Sequence, residues 1–123
     1  MKKDYEHMTV LLLEDQPLIA MDTEAILKQA GFGQIIHFAS IVPAIDWLAT
    51  HEPDLAVIEV TLQNEPRLAL AQQLIGRNVP FLVYSGANRA LVGDQTFQDA
   101  EWLSKPAETE MFEPAIRRVL GTS

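Results

Sequence analysis

Five polar side chains follow apolar runs that lie far apart in the chain. Glu14 and Asp15 follow MTVLLL, Glu59 follows PDLAVI, Ser85 follows PFLVY, and Lys105 follows AEWLS. Gathered on one rim, three carboxylates could hold a divalent cation, for which Mg2+ demands near-octahedral oxygen geometry. Glu59 could instead pair with the Lys105 ammonium directly. Each residue also has a plain structural use. An acidic pair at the start of a helix is favoured by the helix dipole, and Glu59 can be a solvated strand end. Ser85-Gly86 can be a turn, and a lysine stem can lie along apolar surface with its head in water. The choice depends on whether the fold brings the five together.

The elements that would position them alternate along the chain. Met8 to Leu13 is a continuous apolar run, the mark of a strand covered on both faces. Pro17 suits a first helical position, Leu18, Met21, Ala25 and Ile26 recur at helical spacing, and Gly31 stops that helix. Gln34 to Phe38 predicts a second strand. Ser40 can cap a helix burying Ile41, Ala44, Ile45 and Leu48, which ends at His51-Glu52-Pro53. PDLAVIEV is the third strand. The loop Gln63-Asn64-Glu65-Pro66 leads to a helix with Leu68, Ala71, Leu74 and Ile75 inward, closed by Gly76. Pro80 to Tyr84 predicts strand four, Asn88 to Val92 a weaker helix, and Ala100 to Ser104 strand five. A last helix runs to about Leu120, and Pro114 inside it predicts a kink or a late start. Strands joined by helices of this length imply right-handed crossovers and a parallel sheet with helices on both faces. Chemistry in such a sheet collects at the carboxyl ends of the strands, where the polar residues stand.

Composition narrows the functions. The 123 residues predict one domain, 1–123, with its core over about 8–120. Without cysteine there is no disulfide, zinc-thiolate site or cysteine nucleophile, which fits a cytoplasmic location. No apolar run reaches the roughly 20 residues of a membrane span, and the start lacks the apolar stretch of a signal peptide. A net charge of −8 argues against direct contact with nucleic acid or anionic membranes. His7, His37 and His51 have no ligand spacing and read as structural or solvated. Arg89 reads as a solvated loop residue that could also reach the acidic rim. Arg117-Arg118 suit a helix C-terminus.

The stretches VLLLEDQPLIA, PDLAVIEVTL, FLVYSGA and LSKP, in this order and spacing, resemble the receiver domain of bacterial two-component response regulators. The likeness runs from about Met8 to Leu120. It implies a flavodoxin-like (βα)5 fold with strand order 2-1-3-4-5. It also implies that Glu14 and Asp15 hold Mg2+, completed by Glu59 and the backbone carbonyl of Thr61. Ser85 matches the hydroxyl that contacts the phosphoryl group, Lys105 the lysine that pairs with it, and Trp102 the aromatic switch residue. The bond from Lys105 to Pro106 matches one that is usually cis in the family. Partners implied are a histidine kinase or another signalling protein, met on the face of the fourth helix, fifth strand and fifth helix.

One position departs from the pattern: the acceptor should be Asp, and Glu59 stands there. Its extra methylene moves the oxygens by roughly 1 Å, and misplacement on that scale can cost about 10²-fold in rate. The expectation is therefore a signalling module rather than an enzyme, with Glu59 substituting for the phosphorylated acid through a contact with Lys105. The other readings are a vestigial acid, slow Mg2+-dependent phosphorylation of Glu59, and a receiver domain cut from a longer regulator with an output domain.

Overall fold

Apolar runs without alternation need cover on both faces, and each central run receives it. The computed structural model describes residues 5–61, 67–92 and 95–121; the loop expected at 63–66 lies outside them. Strands β1 (Thr9–Leu13), β2 (Gln34–Phe38), β3 (Leu55–Ile58), β4 (Phe81–Ser85) and β5 (Glu101–Ser104) form one parallel sheet. Its order is β2-β1-β3-β4-β5, as the resemblance implies. The helices are α1 (Pro17–Gln29), α2 (Ile41–Leu48), α3 (Arg67–Gly76), α4 (Gln95–Gln98) and α5 (Thr109–Leu120).

Alternate strand residues feed two cores. Leu11, Leu13, Ala56, Ile58 and Val83 pack with Ile41, Ala44 and Leu48 of α2, Leu70, Ala71 and Leu74 of α3, and Phe97 of α4. Val10, Leu12, Val57, Leu82 and Leu103 pack with Leu27 of α1 and with Phe112, Ala115 and Ile116 of α5. This is the doubly wound arrangement, with each strand of the centre buried from both sides.

Local details differ from the sequence reading in instructive ways. Leu18 and Met21 of α1 are 77% and 65% exposed, and Leu68 and Ile75 of α3 are exposed too. The inward stripe of α1 is Ala20, Thr23 and Leu27, flanked by Ile19 and Ile26; that of α3 is Leu70, Ala71 and Leu74. Both helices carry apolar residues on two faces, so periodicity misplaces Leu18 and Met21 in α1 and Leu68 and Ile75 in α3, while Ala71 and Leu74 are buried as expected. Ser40 occupies the N-cap position of α2 but makes no side-chain capping bond. Gly76 is the last residue of α3, and the left-handed turn falls on Asn78 at φ 58°, a conformation Asn tolerates. The segment 88–92 forms only a short 3-10 turn, Arg89–Leu91, capped by Asn88 Oδ1 on Ala90 N (3.0 Å), and α4 comes after it. Helix α5 starts five residues before Pro114, not after it, and continues to Leu120, where Gly121 at φ 73° caps it.

The corrected helix phase has a measurable signature. Leu27→Ala should cost about 2–5 kcal/mol, whereas Leu18→Ala on the same helix should change stability by no more than about 0.5 kcal/mol. Urea unfolding of the two variants reads both values.

Candidate functional site

The sheet builds the site at the ends of its strands, on Ser85 at the last position of β4 and on Glu14, Glu59 and Lys105 one residue past β1, β3 and β5. Leu13 pairs with Ile58, and Ser85 with Ser104. The ladder then continues from Glu14 N to Phe38 O (3.1 Å), from Glu59 N to Leu13 O (3.0 Å) and from Lys105 N to Ser85 O (2.9 Å). Because the strands are parallel, these ends share one edge, and Glu14, Glu59, Ser85 and Lys105 meet there.

Lys105 stands between the two acids. Its Nζ lies 2.5 Å from Glu14 Oε1 and 2.6 Å from Glu59 Oε1. The Glu14 and Glu59 side chains are 2% and 4% exposed, and Lys105 11%. The outer oxygens are held as well. Gln16 N donates to Glu14 Oε2 (3.2 Å), Thr61 N donates to Glu59 Oε2 (3.0 Å), and the buried Ser85 hydroxyl donates to the same Glu59 oxygen. Ser85 Oγ in turn accepts from Ala87 N at 3.1 Å. The Lys105–Pro106 peptide bond is cis.

Burial and pairing oppose one another at each group. For Glu14, burial outweighs the hydrogen bonds from Lys105 and Gln16, and its carboxyl is pushed above the ordinary 4.5. For Glu59, burial is outweighed by the combined bonds from Lys105, Ser85 and Thr61, and its carboxyl is held below 4.5. Burial alone would lower Lys105, but the two carboxylates outweigh it and raise the ammonium above 10.5. Glu59 is therefore the firmly ionised member, and Glu14 the one that takes a proton first as pH falls.

The other candidates fall outside this knot. The Asp15 side chain is exposed. Thr61 enters through its N–H. Trp102 packs partly buried against the core on the α2–α4 side, its indole N–H without a partner. Arg89 is exposed, as a solvated loop residue would be, but it is also tied down: its guanidinium donates to Gln98 O (2.6 Å) and Ala100 O (2.8 Å) and lies 5.9 Å over the Trp102 ring. Two further residues support the site: His37, read from the sequence as structural or solvated, and Tyr84, which the sequence reading did not single out. His37 Nε2 lies 2.7 Å from Glu14 O, tying β2 to the site. Tyr84 lies beneath Lys105, with Nζ 5.6 Å from its ring, and its hydroxyl accepts from Ala107 N at 3.3 Å. An aromatic directly before Ser85 in strand four was the available signal for Tyr84.

A divalent ion finds no prepared donor set in this arrangement. The facing oxygens of Glu14 and Glu59 are on an ammonium, and Asp15 is turned to solvent. Among the described residues no three His, Cys, Asp or Glu side chains are grouped to hold a metal.

The ion pairs also fix how stability follows pH. Lys105, raised above 10.5, contributes stability that is fully present below 10.5 and lost as pH climbs through its raised value. The two acids act oppositely to each other. Glu59's contribution is present above 4.5 and lost as pH falls through its lowered value, while Glu14's is present below 4.5 and lost as pH rises through its raised value. The alkaline limb is thus the clear one: wild-type stability in urea should fall as pH rises beyond 10.5, and Lys105→Met should flatten that fall. Ser85→Ala, which strips a donor from an ionised buried acid, should cost about 1.5–3 kcal/mol in the same assay at neutral pH.

Known proteins share this architecture. No family model matches the chain. It is 25% identical over 115 residues to the sensory transduction protein LytR of Staphylococcus haemolyticus, covering 91% of this chain and 45% of that protein. The chain spans about half the length of the curated relatives it matches. Among solved structures, it resembles the BeF3-activated conformation of SdrG from Pseudomonas melonis, with a TM-score of 0.78 and 26% identity, over 91% of this chain and 95% of that one. It also resembles the receiver domain of the sensor histidine kinase PA1611 from Pseudomonas aeruginosa, solved with magnesium in its active-site cleft. There the TM-score is 0.77 at 22% identity, over 94% of this chain and 98% of that one. No helix among the described residues is long and apolar enough to cross a membrane. With its strand order and its rim of Glu14, Glu59, Ser85 and Lys105, the chain has the fold of receiver domains and is similar to those of two-component response regulators.

Proposed function

We propose that this receiver domain signals by binding another protein and does so without phosphoryl turnover, Glu59 serving as a built-in substitute for a phosphorylated acid. The observation that carries this reading is the occupation of both Glu59 oxygens, Oε1 by Lys105 and Oε2 by Ser85 and Thr61. Phosphoryl transfer needs an acceptor oxygen free for in-line attack. Here the lysine and hydroxyl that would surround a phosphoryl group already close on the carboxylate. The domain is in this reading no enzyme.

The partner is a histidine kinase or another signalling protein of the cytoplasm, meeting the face of α4, β5 and α5. On that face Arg118 pairs with Glu101 at 3.1 Å, and Arg89 fixes the approach to β5 over Trp102. The net charge of −8 favours a protein partner over nucleic acid. A second reading follows from the greater length of the curated relatives: the domain governs an output domain in a longer regulator.

Incubation with Mg2+ and acetyl phosphate, followed by intact mass, should show no adduct; an adduct abolished by Glu59→Gln would overturn the proposal in favour of a phosphorylatable receiver. Glu59→Ala and Glu59→Gln should weaken partner binding, and Glu59→Asp should make it depend on the phosphodonor. Equal affinity in all three would leave Glu59 vestigial.

A further inference from the structure

We infer that the ammonium of Lys105 is the resident cation of this rim, standing where a divalent ion would have to sit, so that the protein takes up Mg2+ there only when Lys105 is removed. The inference shares the site of the proposed function but stands on the ion pairs alone, so either can fail without the other.

Lys105 Nζ contacts Glu14 Oε1 and Glu59 Oε1 at 2.5 and 2.6 Å, bridging the only acids that the rim buries among the described residues. An ion bound to the same two oxygens would need that space, at the roughly 2.0–2.1 Å that Mg2+ requires. The outer oxygens offer no easy alternative, since Gln16 N, Thr61 N and Ser85 hold them. Displacing Lys105 from the two carboxylates would strand a largely buried ammonium beside the Tyr84 ring, and an uncompensated buried charge is strongly unfavourable. Mg2+ gives up its water reluctantly, and Asp15, the third acid, faces solvent rather than the other two.

Removing the ammonium vacates the space between Glu14 Oε1 and Glu59 Oε1. It leaves two facing carboxylates, both buried and both short of a partner, with Asp15 next in sequence to the first.

Mg2+ is titrated by calorimetry and Mn2+ by its paramagnetic signal into wild type, Lys105→Met and Lys105→Arg. Wild type and Lys105→Arg should show no saturable binding, and Mg2+ should leave their melting temperatures unchanged. Lys105→Met should bind saturably, at least about tenfold more tightly than the weakest binding the titration could detect in wild type, and melt higher with Mg2+ than without. Saturable Mg2+ binding by wild type that Glu14→Gln abolishes would overturn the inference, as would a folded Lys105→Met that gains none. Should Lys105→Met not fold, the wild-type titration decides alone: binding overturns, and its absence upholds. A phosphoryl adduct on protein that binds no Mg2+ would remove the proposed function and leave this inference standing; Mg2+ binding without an adduct would do the reverse.

Discussion

Two carboxylates buried to within a few per cent cannot stay ionised side by side unless a cation lies between them, and Lys105 supplies it. The rest of the rim is arranged around that requirement. Glu14 comes from the end of β1, Glu59 from β3, Ser85 from β4 and Lys105 from just beyond β5. His37 adds β2 through the Glu14 carbonyl. Side-chain bonds at one edge thus join all five strands, across connections that differ widely in length. The register that buries the hydrophobic faces is the same register that aligns these groups.

Much of this was legible because it depends on pattern. Runs such as MTVLLL and PFLVY could only be strands covered on both faces, and polar residues closing them had to reach the sheet's edge. The pairing of Glu59 with Lys105 followed from the length of the glutamate arm. What escaped was set by packing rather than pattern. Leu18 and Met21 share the helical spacing of a buried stripe yet face outward, because α1 uses Ala20, Thr23 and Leu27 to approach the sheet closely. Arg89 was invisible as a structural residue, since its partners are backbone carbonyls, which no side-chain motif announces. The sharing of Lys105 by Glu14 as well as Glu59 rests on distances finer than residue spacing can predict.

The difference between Glu and Asp at position 59 is one methylene, yet it decides which groups touch. The longer arm carries its carboxylate to the ammonium, the hydroxyl and the Thr61 amide at once. A network with every member satisfied is rigid, and a low local dielectric makes each bond in it matter more than at the surface. Opposite directions of proton affinity at Glu14 and Glu59 are the trace of that arrangement: the better-bonded acid keeps its charge, and the less-bonded one gives way.

A cation borne on a side chain differs from a dissolved one in a further respect. It cannot be chelated, diluted or exchanged for another element, and its occupancy is set by folding rather than by any concentration. Its arrival also costs no collision, since the turn from β4 through β5 delivers it. Lys105 therefore gives this rim a fixed electrostatic composition, the same in every folded molecule whatever ions surround it.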